Sequence, residues 1–157
     1  MTILDGKKTS NDIKDEIAHE VNSIISNGDR PPHLAAVIVG NDGASLTYVG
    51  SKVRACEKVG FDSTLVSLDD SISEKELLDK VYELNNDKKI DGYIVQLPLP
   101  EHIDTQKVLL AVDPKKDVDG FHPVNFGRMA LNLPTFISAT PNGICLLYTS
   151  PSPRDRH

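Results

Sequence analysis

Apolar positions along this chain fall into two alternating rhythms. Ile13, Ile17, Val21, Ile24 and Ile25 recur at the three-to-four-residue spacing of an amphipathic helix. Ser10 or Asn11 is expected to cap its start, and Asn27-Gly28 ends it. Leu34 to Val39 is a short unbroken apolar run closing on Gly40, which predicts a buried strand. Asn41 to Ser45 then makes a turn, and Ser45 to Val59 reads as a helix ended by Gly60. A second strand is expected over Ser63 to Leu68 and a third helix over Ser73 to Asn85, opened by the capping-box pair Ser73 and Glu76. Gly92 to Leu97 is the third strand, stopped by Pro98 and Pro100, which cannot donate to a ladder. A short helix, roughly Thr105 to Val112, follows.

Strand and helix in alternation predict an α/β fold: a three-layer αβα domain with a mostly parallel sheet covered on both faces. In such sheets ligands bind beyond the carboxyl ends of the strands. Three segments leave a strand at that edge: Gly40 to Lys52, Gln96 to Pro100, and the return loop through Asp119.

Composition narrows the classes. With 157 residues and 39% hydrophobic content, there is enough apolar material for the core of one domain. The formal net charge of -6 argues against a general nucleic-acid binder, which usually carries a basic face. No apolar run approaches the roughly 18 residues of a membrane span. Met1 to Lys8 lacks the basic-then-apolar pattern of a secretory signal. Cys56 and Cys145 form no metal spacing, and Cys56 reads as a small buried hydrophobe within a helix. The simplest reading is a soluble protein of a reducing cytoplasm.

Chemistry concentrates at the strand edge. Tyr48 and Lys52 are four apart and share one helix face; alone, such a pair is usually a solvated surface. Gln96 is polar at the end of an apolar strand, either capping a loop or facing a pocket. Asp117-Val118-Asp119-Gly120 has the look of a calcium loop, but Lys115 and Arg128 fall where oxygen ligands would be needed, so no metal is expected.

Taken together and in order, these segments resemble the bifunctional methylenetetrahydrofolate dehydrogenase/methenyltetrahydrofolate cyclohydrolase family. The matching stretches are the Ser45–Tyr48–Val49–Lys52 helix, Val95-Gln96-Leu97-Pro98-Leu99-Pro100 and Lys116-Asp117-Val118-Asp119-Gly120. Asp5-Gly6-Lys7, Val39-Gly40 and Thr140-Pro141-Asn142-Gly143-Ile144 support them. The resemblance implies that Lys52 is the catalytic proton shuttle, that Tyr48 stacks on the aminobenzoyl part of a folate, and that Gln96 hydrogen-bonds Lys52. It further implies that Leu97 and Pro98 line the folate site and that Asp119 holds the pterin ring. The residue types suit those roles: a carboxylate accepts two parallel hydrogen bonds from an aminopyrimidinone edge, and a partly desolvated cleft draws a lysine toward acid/base work.

The implied activity is NADP-dependent oxidation of 5,10-methylenetetrahydrofolate, then hydrolysis to 10-formyltetrahydrofolate, by a cytoplasmic homodimer in one-carbon metabolism. NADP belongs to a second domain in that family, and the only glycine-rich turn here, Gly40-Asn41-Asp42-Gly43, is not a dinucleotide fingerprint. Residues 1–124 are therefore expected to be a folate-binding catalytic domain and 125–144 a connector toward a dinucleotide-binding domain. Residues 145–157 read as a non-family, disordered tail, since Pro151 and Pro153 forbid a continuing helix; a mis-joined reading frame or a natural tail would both produce it. Apolar surface is expected to be uncovered between Asn125 and Ile144. The alternatives are a folate-binding relic without catalysis and a receiver-like signalling module, although Gln96 and Gly40-Asn41 stand where a receiver needs acids.

Overall fold

A computed structural model describes residues 5–149. The elements run α1 (Gly6–Ser26), β1 (His33–Val39), α2 (Gly43–Val59), β2 (Asp62–Leu68), α3 (Glu74–Asn86), β3 (Gly92–Val95), α4 (Thr105–Ala111), α5 (Pro123–Ala130) and α6 (Ala139–Thr149). The strands form one parallel sheet in the order β2-β1-β3, with Ala36 opposite both Leu65 and Ile94.

Period-two alternation along β1 divides the core between two faces. Ala35, Val37 and Val39 join Tyr93 and Val95 against Leu77, Val81 and Leu84 of α3 and Val108 of α4. Ala36 and Ile38 join Ile94 against Val49 and Val53 of α2, on which α1 packs. The three-layer expectation holds. Leu77, Val81 and Val108 are fully buried; Leu77→Ala would leave a cavity and cost about 2–5 kcal/mol.

Helix boundaries follow the caps more closely than the apolar rhythm. Ser73 and Glu76 form the expected capping box on α3. The start of α1, however, lies before Ser10: the Asp5 carboxylate accepts Lys8 N at 2.9 Å and caps the helix there. A cap needs only an oxygen placed ahead of a free N–H, and the polar first turn hides it from hydrophobic periodicity. Likewise α2 starts at Gly43, capped by Asp42 accepting Ser45 N at 2.8 Å. It ends in a left-handed Gly60 (φ 81°), with Phe61 N donating to Cys56 O. β3 stops at Val95, but Gln96 N still donates to Val37 O at 2.8 Å.

The segment after Asp119 holds more helix than its sequence announced. Pro123 occupies the first turn of α5, where its missing N–H costs nothing, and His122 Nδ1 accepts Val124 N. α6 carries the helix through Thr149, five residues into the stretch expected to be disordered; the rest of that stretch lies outside the described residues. Side chains here are poorly covered, as expected: Phe126, Leu131, Leu133, Phe136, Ile137 and Ile144 are exposed, Leu131 by 73%. Among the described residues no helix is long and apolar enough to cross a membrane.

The connections place the site. The β1–α2–β2 crossover covers one face and the β2–α3–β3 crossover the other, so the chain departs in opposite directions from the neighbouring strands β1 and β3. A crevice at the carboxyl ends of such a strand pair is where this architecture binds ligands.

Candidate active site

The first turns of α2 rise from the end of β1. Val49 is buried against the sheet, and Tyr48 and Lys52 flank it. Tyr48 is 66% exposed, a flat aromatic surface open to a partner. Lys52 reaches toward the loop between α4 and α5, where its Nζ lies 3.9 Å from Asp119 Oδ1, with the two side chains 34% and 23% exposed.

Asp119 is held in place by its backbone. Asp117 forms a parallel bridge with Tyr93, and Tyr93 N donates to Lys116 O at 2.9 Å, so the loop runs alongside β3. Asp119 itself makes no hydrogen bond through its carboxylate within the described residues; Lys52 is its one ion-pair partner there. Burial raises the Asp119 carboxyl above its ordinary value, Lys52 partly offsets this, and nearby Asp117 pushes it further up. A carboxylate that is desolvated, has a cation alongside and leaves its acceptor lone pairs free is suited to two donors of an incoming heterocycle.

Gln96 sits one residue beyond β3 at the same sheet edge, partly buried. Its amide was expected to meet Lys52. Instead Gln96 Nε2 donates to Leu97 O at 2.7 Å, a local bond that turns it back on its own chain. Leu97 and Pro98, joined by a cis peptide bond, continue the edge. The structure thus brings Lys52 and Asp119 together, sets Tyr48 one helical turn away, and gives Gln96 a different partner.

Three residues around the site were missed by sequence reasoning. Asp117, read as part of a possible calcium loop and of the Lys116–Gly120 motif but given no role, is 5% exposed and accepts His122 N at 2.8 Å and Asn125 Nδ2 at 2.9 Å. Asn125 is 4% exposed, and its Oδ1 accepts the Thr135 hydroxyl at 2.8 Å. The available signal was Asn125 itself, a polar residue in a short helix whose neighbours Val124 and Phe126 are apolar.

A cavity of about 630 Å³ lies between α1, α2 and α6, with Ile13, Ile17, Cys56 and Val59 in its wall. Lys52 alone of the expected site residues borders it. The apolar lining offers little to a polar heterocycle, so the site is assigned to the Lys52–Asp119 edge. Cys56 is buried, which pushes its thiol up and fits a packing role. Asp42 places its carboxylate over the first turn of α2, and its hydrogen bond from Ser45 holds that carboxyl below the usual range. An anion there excludes a dinucleotide pyrophosphate from this helix start.

Comparison with known proteins bears on this geometry. The family model described as tetrahydrofolate dehydrogenase/cyclohydrolase, catalytic domain, matches residues 4–119. The chain is similar to the Bifunctional protein FolD of Flavobacterium johnsoniae, 71% identical over 144 residues, which cover 92% of this chain and 49% of that protein. In structure it resembles the bifunctional methylenetetrahydrofolate dehydrogenase/cyclohydrolase of Campylobacter jejuni, with TM-score 0.91 and 42% identity over 96% of this chain and 53% of that one. It also resembles the Trypanosoma brucei dehydrogenase-cyclohydrolase solved with NADP and an inhibitor, with TM-score 0.89 and 30% identity over 94% and 51%. The chain spans about half the length of the curated relatives it matches.

Proposed function

Because this chain belongs to the tetrahydrofolate dehydrogenase/cyclohydrolase family, we propose that its switch-point edge binds a reduced folate and performs the proton transfers of methenyltetrahydrofolate hydrolysis. Residues 1–124 are the folate-binding catalytic unit in this reading, and 125–144 are a connector. The observation that carries it is the Lys52–Asp119 pair at 3.9 Å, beside an exposed Tyr48. Asp119 accepts the donor edge of the pterin through both carboxylate oxygens. Tyr48 stacks on the aminobenzoyl ring, and Leu97 and Pro98 border the bound folate.

Hydrolysis then runs on Lys52. Water adds to the cationic methenyl carbon, which forms one carbon–oxygen bond. Lys52 Nζ takes the first proton released by that water, leaving a neutral carbinol. It then returns that proton to the bridging ring nitrogen as the carbon–nitrogen bond breaks. The carbinol oxygen forms its second bond to carbon and its remaining proton passes to solvent, leaving 10-formyltetrahydrofolate and one net proton. Gln96, bonded to Leu97 O, supports Lys52 only after its amide rotates away from that carbonyl.

NADP is the oxidant of the paired dehydrogenase reaction in this reading. The start of α2, closed by Asp42, does not suit its pyrophosphate, so no hydride step is assigned to these residues. A cytoplasmic homodimer is the proposed setting. The test is titration of 5,10-methenyltetrahydrofolate into the 157-residue chain, with hydrolysis followed by loss of the methenyl chromophore. Saturable binding that Asp119→Ala weakens, with turnover lost in Lys52→Met, supports the reading. Binding indifferent to both substitutions overturns it.

A further inference from the structure

We propose that Asn125, backed by Thr135, is a positioning residue that fixes the Asp119 loop for folate recognition; this rests on the folate reading of Asp119 given above. A carboxylate meant to accept two parallel hydrogen bonds must be placed to within a fraction of an ångström. Asp119 has no hydrogen bond of its own within the described residues and an ion pair at 3.9 Å, too long to orient it. Its position must come from the residues on either side.

Both sides are pinned. On one, the buried Asp117 carboxylate would be costly without donors, and both of its donors come from the start of α5: His122 N and Asn125 Nδ2. Asn125 spends its second amide hydrogen on Pro114 O at 2.8 Å, while its oxygen takes the Thr135 hydroxyl. One buried side chain thereby ties the 113–117 turn, α5 and the segment at Thr135 together. On the other side, Gly120 has φ +67°, and a Cβ there would stand 2.9 Å from Phe136 O and from Ser138 N. Only glycine lets the loop lie against that backbone. Val118 and Asp119 are thus the short link between two clamped residues, Asp117 and Gly120, and Thr135 belongs to the segment that forms the second clamp.

The test uses the full 157-residue chain with Asn125→Ala, Thr135→Val and Thr135→Ser. The first readout is the pH titration of the Asp119 carboxyl carbon by NMR, which reports its surroundings whether or not it binds folate. Lys52 and Asp117 are the charged groups facing it. A loosened loop admits water and moves the Asp119 midpoint down in Thr135→Val and further in Asn125→Ala, while Thr135→Ser restores it. The second readout is the Kd for 5-formyltetrahydrofolate, expected to weaken about threefold to tenfold in Thr135→Val. Unchanged Asp119 titration in both Thr135→Val and Asn125→Ala overturns the positioning role. A shifted titration with unchanged affinity leaves the positioning role standing and removes the pterin role of Asp119 instead. Should Asn125→Ala not fold, the Thr135 pair decides alone.

Discussion

A cation–carboxylate pair between distant parts of this chain stands at each end of the sheet, and the two are built differently. At the amino end, Arg30 grips Asp91 through two bonds of 2.7 and 2.8 Å, and Asp91 also accepts His33 N at 2.8 Å. Arg30 further donates to Pro31 O and Lys88 O. Nearly every donor and acceptor is used. At the carboxyl end, Lys52 and Asp119 stand 3.9 Å apart with no bond between them. The first pair locks the β1 and β3 starts in register and has nothing left to offer a ligand. The second keeps its hydrogen-bonding capacity in reserve, in a site drier than the first. What separates the two pairs is unspent hydrogen-bonding capacity, rather than charge.

The largest effect should come from removing the cation of the unspent pair. Lys52→Met keeps much of the stem's volume and deletes the proposed proton carrier. General acid–base catalysis contributes about 10²–10⁴-fold, so cyclohydrolase turnover should fall by about that factor, with the unfolding temperature little changed. Steady-state kinetics beside a thermal melt reads both. A turnover loss below about tenfold would place the proton relay elsewhere.

Next in size is the anion. Asp119→Ala removes two charge-assisted bonds to the pterin, and hydrogen bonds to charged groups are worth about 1.5–3 kcal/mol each. Folate affinity should weaken by at least about a hundredfold, read by calorimetry. A smaller effect, and of the opposite kind, is expected at the other end of the sheet. Arg30 and Asp91 are about half exposed (48% and 49%), so solvent screening keeps the stability lost in Arg30→Ala small, with folate affinity untouched. If Arg30→Ala weakened folate binding as much as Asp119→Ala, the division between the two ends would collapse.

That contrast also marks how far the sequence could be read. The strands, α2, α3 and the Ser73–Glu76 capping box were legible because apolar rhythm and cap chemistry agreed at those places. The Lys52–Asp119 edge was legible through the family resemblance and the rule placing ligands at strand ends. The start of α1 was not, because Asp5 caps a polar first turn with no hydrophobic signal. α5 and α6 were passed over because their faces are only half covered, so the apolar-in, polar-out pattern is blurred. Gln96's bond to Leu97 O depends on a rotamer, and the Asp117–Asn125–Thr135 network on three segments meeting in space. No spacing rule encodes either.

The smallest effect concerns pH, and the two pairs should behave with opposite sign. Arg30's hydrogen bonds hold the Asp91 carboxyl below its ordinary value. Its contribution to stability is therefore present above the unfolded-state value and fades as pH falls through the folded one. Burial raises the Asp119 carboxyl instead. Between its unfolded and folded values the native state binds more protons than the unfolded chain, so stability drops as pH rises through that window. Above its folded value the ionised Asp119 is thus a net cost to folding. Asp119→Asn removes that cost with little change of shape, so it should raise the unfolding temperature slightly at pH 7. The gain should shrink as pH falls below the folded value and the wild-type carboxyl takes up its proton. Asp91→Asn should do the reverse, destabilising most at pH 7 and converging on wild type in acid. Melts of both variants from pH 3 to pH 8 decide the matter. If Asp119→Asn lost stability at pH 7 as Asp91→Asn does, Lys52 would outweigh the burial cost, and the two ends of the sheet would differ in geometry alone.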